Sequence, residues 1–308
     1  MSFVIKKVIK KVIKNKYYLI LLIPALIYFF IFYYLPMVGA LLAFKKYNYA
    51  DGIFGSPWCG LDNFKFMFIN GDIFGVIRNT ALYNIAFIIV NTTFEIFLAI
   101  LLSEIGCRFF KKISQGCILF PYFISWVVVG TFVYNMFNYE FGAVNGFLKS
   151  INIDPINIYN NPTAWIPIII FIKLWKEIGY GTVLYLAAIS SIDQEMYEAA
   201  EIDGANIFRR IRHITIPSLL PTIIILVLLS IGNVFKGDFQ MFYQLVGSNS
   251  MVYSTTDVID TFVTRSLLNT REFGMTTAAG IIQSVFGLIV IVTSNCCIKK
   301  YDRDYALY

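Results

Sequence analysis

Charge is scarce in this 308-residue chain, where Asp, Glu, Lys and Arg together make up only 14% of the residues. A soluble domain carries about 25%, so the deficit argues against an ordinary water-soluble globule and points to a lipid environment. Histidine is nearly missing: His213 is the only one, which leaves no His-based metal or catalytic cluster to consider. The cysteines form no framework, because Cys59, Cys107 and Cys117 are scattered and the adjacent Cys296 and Cys297 have no metal-ligand spacing. There is no Walker A pattern, no GxGxxG behind a strand, no GxSxG and no paired acid and histidine. The formal net charge of +6 does not argue for nucleic acid, since the basic residues gather at the ends of apolar runs rather than on one face. No small-residue cleavage site follows the first apolar run, so that run is expected to be a retained span.

What the chain has is apolar length. Six runs near 17–43, 79–102, 113–138, 164–189, 217–235 and 274–298 are each long enough to cross a bilayer, which takes about 20 residues. Lys173, Lys176 and Glu177 interrupt the fourth. Ahead of them, residues 3–14 alternate Val and Ile with lysine pairs at helical spacing, an amphipathic helix expected in the membrane interface. Counting Lys and Arg between spans gives fifteen on the side of residues 1–16, 103–112, 190–216 and 299–308, against eight on the other. The positive-inside rule then places both termini in the cytoplasm. The organisation expected is an interfacial helix at 1–16, a six-helix domain at 17–298 and a cytoplasmic tail at 299–308.

The longest polar interruption runs from Ser191 to Pro221, SIDQEMYEAAEIDGANIFRRIRHITIPSLLP. Ser191 three residues before Gln194 has capping-box spacing, and the residues through Ile202 are mostly helix formers. Gly204 supplies a left-handed end, and Asn206 can cap a second, basic helix carrying Arg209, Arg210 and Arg212. With no fuel-consuming site of its own, a transporter must draw on an ion gradient or on a partner. A structured polar element between spans is what a partner that transmits force requires. Glu195, Glu198, Glu201 and Asp203 make the first helix acidic, and Ala199 and Ala200 leave one side slim enough to enter a groove.

These residues resemble a known family. Glu198-Ala199-Ala200, Asp203-Gly204-Ala205 and Ile214-x-Ile216-Pro217 are similar to the EAA motif of permease subunits in binding-protein-dependent ABC importers, with Ile216-Pro217 for the commoner Leu-Pro and Asp193 where many members have proline. Ser56–Phe64, Ile77–Thr80 and Pro121–Trp126 resemble the lipooligosaccharide/aldouronate-type branch of the sugar permeases. The resemblance implies an all-α polytopic membrane protein of maltose-type, type I importer (MetI-like) fold, in a bacterial plasma membrane. It implies a second homologous permease, most often as a heterodimer, two ABC ATPase subunits that hold ATP and Mg, an extracytoplasmic solute-binding protein and an oligosaccharide substrate. The chain itself would bind no cofactor or metal and be no enzyme. Glu198, Ala199, Ala200, Asp203, Gly204, Ala205 and Pro217 would form the coupling element seated in the ATPase.

For the substrate path, charged residues at membrane depth usually face a pathway or a partner. Lys176 and Glu177 with Trp175 and Tyr180 in the fourth span, and Ser230, Asn233 and Lys236 at the end of the fifth, have the aromatic faces and polar groups that a sugar site needs. The family places ligand contacts at the positions of Trp175, Glu177, Tyr180 and Ser230. An internal ion-pair cluster at Lys173, Lys176 and Glu177, with Trp175 as packing, is the other reading. Lys173, Lys176 and Lys236 favour an acidic, uronate-containing oligosaccharide, and Arg78, Arg265 and Arg271 could contact an acidic binding protein. Two rival functions are a gradient-driven secondary transporter and a membrane scaffold that recruits a soluble enzyme; an ATPase partner separates both from an importer.

Overall fold

The computed structural model describes residues 16–69 and 72–301. The interfacial helix expected at 3–14, and the tail beyond residue 301, lie outside the described residues. Among the described residues the chain is helix and turn, with one isolated antiparallel bridge between Lys45 and Trp58. It divides into two compact units, Met1–Met67 with Thr270–Ile281, and Phe68–Asn269 with Ile282–Tyr308.

In the first unit, α1 (Lys16–Phe29) runs through a π turn at Phe30–Tyr34 into a 3₁₀ stretch at Leu35–Phe44. Pro36 sits at the start of that stretch and has no N–H to continue an α ladder, which is one cause of the change in winding. Most of the apolar rod Ile20–Phe44 is uncovered within its own chain, and only its last turns, at the buried Ala43, are packed. A helix that is apolar all round and uncovered in this way belongs in hydrocarbon or against another chain. The loop after it is an ordered knot. Lys45 Nζ donates to the carbonyls of Ile53 (3.0 Å) and Phe54 (2.7 Å), and Asn63 Nδ2, from α2 (Asp62–Ile69), donates to those of Ala43 (2.9 Å) and Lys45 (3.0 Å).

In the second unit α3 (Asp72–Ser103) is followed by a broken element. Instead of one straight span at 113–138, α4 (Arg108–Leu119) tightens into a 3₁₀ turn at Phe120–Phe123, and α5 (Trp126–Phe137) leaves it at 92°. Pro121 interrupts the ladder, Ile124 is extended, and Ser125 Oγ accepts from Val128 N to start the new helix. After a short helix at Ala143–Ser150 come α6 (Trp165–Ser190), α7 (Gln194–Ile202), α8 (Ile207–Arg210), α9 (Ile216–Ile231), α10 (Phe239–Val246) and α11 (Ile259–Thr270). The last helix, α12 (Phe273–Tyr301), has its first residues, through Ile281, in the first unit and the rest in the second. The fifth run, expected at 217–235, is a continuous helical stretch from Ile207 to Ile231, so it begins inside the polar loop and ends earlier. Helices at Ile20–Phe44, Ile73–Ser103, Ile207–Ile231 and Phe273–Lys300 are long and apolar enough to cross a membrane, and the bent pair can supply a fifth crossing. The 26 residues of α6 reach about 39 Å, which is also sufficient.

Among the described residues the most extensive helix pairing is between α3 and α6. Two apolar cores pin it. One joins Tyr83 and Phe87 of α3 to Trp165, Ile169 and Ile172 of α6, with Val129 and Val133 of α5 and Met241, Phe242 and Leu245 of α10. The other joins Ala99 and Leu102 of α3 to Tyr185, Leu186 and Ile189 of α6 and Leu219 of α9. Both helices pass from the first core to the second in chain order, so they run side by side in the same direction, and α9 returns against them. Between the cores the facing residues turn polar.

Candidate functional site

Two regions carry the residues singled out by sequence. The first is the loop from Ser191 to Thr215. Its opening helix, α7, is capped by Asp193, whose Oδ1 accepts from Glu195 N at 3.0 Å. Ser191 instead closes α6, its Oγ donating to Ala188 O at 2.7 Å, so the N-cap lies two residues on and no capping box forms, since the third residue after Asp193 is Met196. An aspartate at the cap also places a negative charge at the positive end of the helix. At the other end Gly204 has φ +76°, its N–H donates to Glu201 O (3.0 Å), and Ala205 N–H donates to Ala200 O (2.9 Å). That pair of bonds is a Schellman closure, which asks for a left-handed residue at position 204. A Cβ added at Gly204 meets no atom within 4 Å, so the demand comes from the backbone alone.

Beyond the turn Asn206 Oδ1 accepts from Arg209 N at 3.0 Å, which caps α8 as expected. Glu201 and Arg210 form an ion pair across the bend, and Tyr197 Oη meets Thr215 Oγ1 at 2.9 Å. A π turn at Ile211–Thr215 leads into α9 just ahead of Pro217, whose ring removes the N–H of an α ladder. The element is thus locally rigid and outwardly exposed. Glu195, Glu198, Ala199, Asp203 and Gly204 lie at the surface, with Ala200 and Ala205 partly covered. Ile202 and Phe208, flanking the turn, are 87% and 77% exposed.

The second region is the polar layer between the two cores. Two adjoining cavities of about 340 and 430 Å³ share Asn84, Phe87, Lys173 and Asn233. Glu177, Ser230, Asn233 and Lys236, drawn from the fourth and fifth spans, do come together on their walls. Lys173 lies at the centre, 2.6 Å from Glu177 Oε1 and 3.3 Å from Asp238 Oδ2. The opposite wall is α3, which contributes Asn84, Asn91, Thr92 and Glu95. Glu95 fits because position 181 is glycine: a Cβ there would fall inside its carboxylate. Asn91 Oδ1 is buried with no hydrogen-bond partner among the described residues.

Trp175, Lys176 and Tyr180 do not line these cavities. Trp175 helps to wall an apolar cavity with Phe132, Phe137 and Phe171. Tyr180 stacks on Tyr122 at 4.9 Å between ring centroids. Lys176 is 7% exposed, and its Nζ donates to the carbonyls of Tyr122 (2.8 Å) and Ile124 (2.6 Å), with Pro121 O at 3.4 Å. Pro121 O keeps a backbone donor in Ile124 N (3.1 Å), but the Tyr122 and Ile124 carbonyls lie where the helix breaks, and there the ammonium takes the place of the missing N–H groups. Of the three lysines expected to favour an acidic saccharide, Lys176 bonds the carbonyls of the bend and Lys173 is paired, while Lys236 lines the cavities together with Glu95, Glu177 and Asp238. Arg265, expected to be available to a partner, is held by both oxygens of Asp257 at 3.0 and 2.5 Å.

A multi-pass helical unit with a polar layer between apolar cores, and a rigid polar element between two of its crossings, is the architecture of a membrane permease. Residues 95–295 match the family described as binding-protein-dependent transport system inner membrane component, and the chain belongs to that family. It is 38% identical to Protein LplB of Bacillus subtilis (strain 168) over 94% of this chain and 91% of that protein. It is 32% identical to the polygalacturonan/rhamnogalacturonan transport system permease protein YteP of the same organism, over 97% and 92%. Among solved structures, a bacterial ABC transporter involved in the import of the acidic polysaccharide alginate has a chain that superposes with a TM-score of 0.87 at 30% identity, covering 96% of this chain and 99% of that one.

Proposed function

We propose that this chain is one half of a permease pair in an ATP-driven importer, and that it moves an oligosaccharide delivered by an extracytoplasmic binding protein. The observation that carries the reading is the rigid, exposed α7–Gly204–α8 element between two crossings, a form suited to seating in a partner that moves. In this reading Glu198, Ala199, Ala200, Asp203, Gly204 and Ala205 dock into one of two ATPases on the cytoplasmic side, and Pro217 marks the helix that receives the force. ATP and Mg belong to those subunits. Both termini are cytoplasmic, and the second permease is a homologous but different chain.

The substrate path runs through the polar layer. Glu177, Ser230, Asn233 and Lys236 meet the saccharide from α6, α9 and the turn after it, and α3 supplies the amide and hydroxyl groups of Asn84, Asn91 and Thr92. Amides and hydroxyls at the end of an apolar wall suit a polyhydroxylated ring. An acidic saccharide is supported by the relatives, one named for polygalacturonan and one structure for alginate, and no longer by an excess of lysine.

Co-expression with its genomic neighbours and affinity purification in detergent tests the reading. The expected result is a complex containing an ATPase whose hydrolysis rises when saccharide-loaded binding protein is added. Purification without any ATPase would overturn it. A thermal-shift screen of the binding protein against oligogalacturonides and neutral oligosaccharides then settles the substrate class, and a response to amino acids alone would exclude sugars.

A further inference from the structure

A further cavity of the second unit lies outside the polar layer. It lies between α10 and α11, has a volume of about 340 Å³, and is closed by the loop from Gly247 to Val258. Phe239 and Tyr243 stand on its wall with their rings stacked at 5.1 Å and 20°. The Arg265–Asp257 pair lines the same cavity, with the guanidinium 4.2 Å from the Tyr253 ring. Ser248 adds a hydroxyl at the rim, and Gly247, at φ +67°, turns the backbone there without a side chain.

We infer that this cavity is a second saccharide subsite, which holds one pyranose ring of the oligosaccharide before it enters the polar layer. Three features of its construction support this. Tyr243, an exposed residue whose ring stacks on Phe239, provides an aromatic platform for the C–H face of a sugar ring. A neutral Arg–Asp pair offers donors and an acceptor side by side, as vicinal hydroxyls require. Finally, Phe239 and Phe242 wall both this cavity and the 430 Å³ cavity that opens onto Lys236 and Asn233, so the two compartments are neighbours across one aromatic partition. The inference rests on the importer reading, which places segment 236–273 on the side from which substrate arrives.

The test uses the assembled transporter in lipid nanodiscs and hydrogen–deuterium exchange, with tetragalacturonate and maltotetraose as millimolar probes. At least one probe is expected to slow exchange of backbone amides in 239–256. Tyr243→Ala is expected to raise the half-saturating concentration about tenfold, the loss of one stacked ring, while Tyr243→Phe keeps the wild-type value. Absence of protection with both probes overturns the subsite, and so does protection that Tyr243→Ala leaves unchanged. ATP hydrolysis stimulated by loaded binding protein is measured on the same sample. Stimulation without protection overturns the subsite alone, whereas an assembly that holds no ATPase overturns the importer reading itself.

Discussion

The Ser191–Thr215 loop and the polar layer between α3, α6 and α9 are built on opposite plans. Every bond that shapes the loop joins residues close in sequence: Asp193 to Glu195, Gly204 to Glu201, Glu201 to Arg210, and at most 18 residues from Tyr197 to Thr215. The layer depends on distant partners, with 65 residues between Lys173 and Asp238 and 152 between Asn84 and the Lys236 carbonyl it binds. A locally built element can be rigid while fully exposed, and it is free to offer its whole surface to another protein. A layer assembled from distant helices exists only once those helices have packed, so its chemistry and its stability are coupled.

Substitutions at three positions probe this contrast, beginning with the largest effect on activity. Gly204→Val forces a β-branched residue into the left-handed region at a cost of at least about 1–2 kcal/mol with no neighbouring atom to blame. It is expected to leave the protein in the membrane with a melting temperature lowered by only a few degrees while abolishing substrate-stimulated ATP hydrolysis. Gly204→Asn, a residue that tolerates this region, should retain most of the stimulation. Normal stimulation in the valine variant would show that the bend is not the coupling element.

Lys176→Met is expected to behave in the reverse manner. It strips the donors from carbonyls of the broken helix, a loss of roughly 3 kcal/mol when buried acceptors go unpaired. The readout is a lower melting temperature of the detergent-solubilised complex. A variant as stable as wild type would mean that the carbonyls find other donors and that the bend does not depend on α6.

Asp193→Ala is the mildest. Loss of an exposed N-cap costs about 1 kcal/mol of local helix stability. Faster amide exchange confined to the first turn of α7, with stimulation reduced but present, is the expected result. Spread of that effect into α6 or α9 would break the claim that the loop is built from within.

The same difference in plan decides what could be read in advance. The EAA-like loop was legible almost residue by residue, because helix formers, a left-handed glycine and the Asn206 cap act within a few positions; only the first cap moved, from Ser191 to Asp193. The apolar runs were legible as lengths but not as shapes. Pro121 and Ser125 mark the break in the third run, yet a run of apolar residues carries no sign that the two halves turn by 92°. Within the layer, Glu177, Ser230, Asn233 and Lys236 were recognisable as polar groups at membrane depth. The direction in which Lys176 and Trp175 point depends on which helix packs where, and that is a tertiary property. One signal was available and passed over: Asn84, Asn91, Thr92 and Glu95 recur at helical spacing as a polar stripe on an otherwise apolar span.

The lysine that closes the broken helix also bears on how this protein is made. The carbonyls at Tyr122 and Ile124 wait for an ammonium group that leaves the ribosome some fifty residues later, 52 after Ile124. Hydrocarbon does not tolerate unpaired backbone in the meantime. The segment 108–137 therefore cannot settle as a finished membrane element when it first emerges. It must stay beside water or the insertion machinery until α6 arrives, and the two enter their final depth as a joint event.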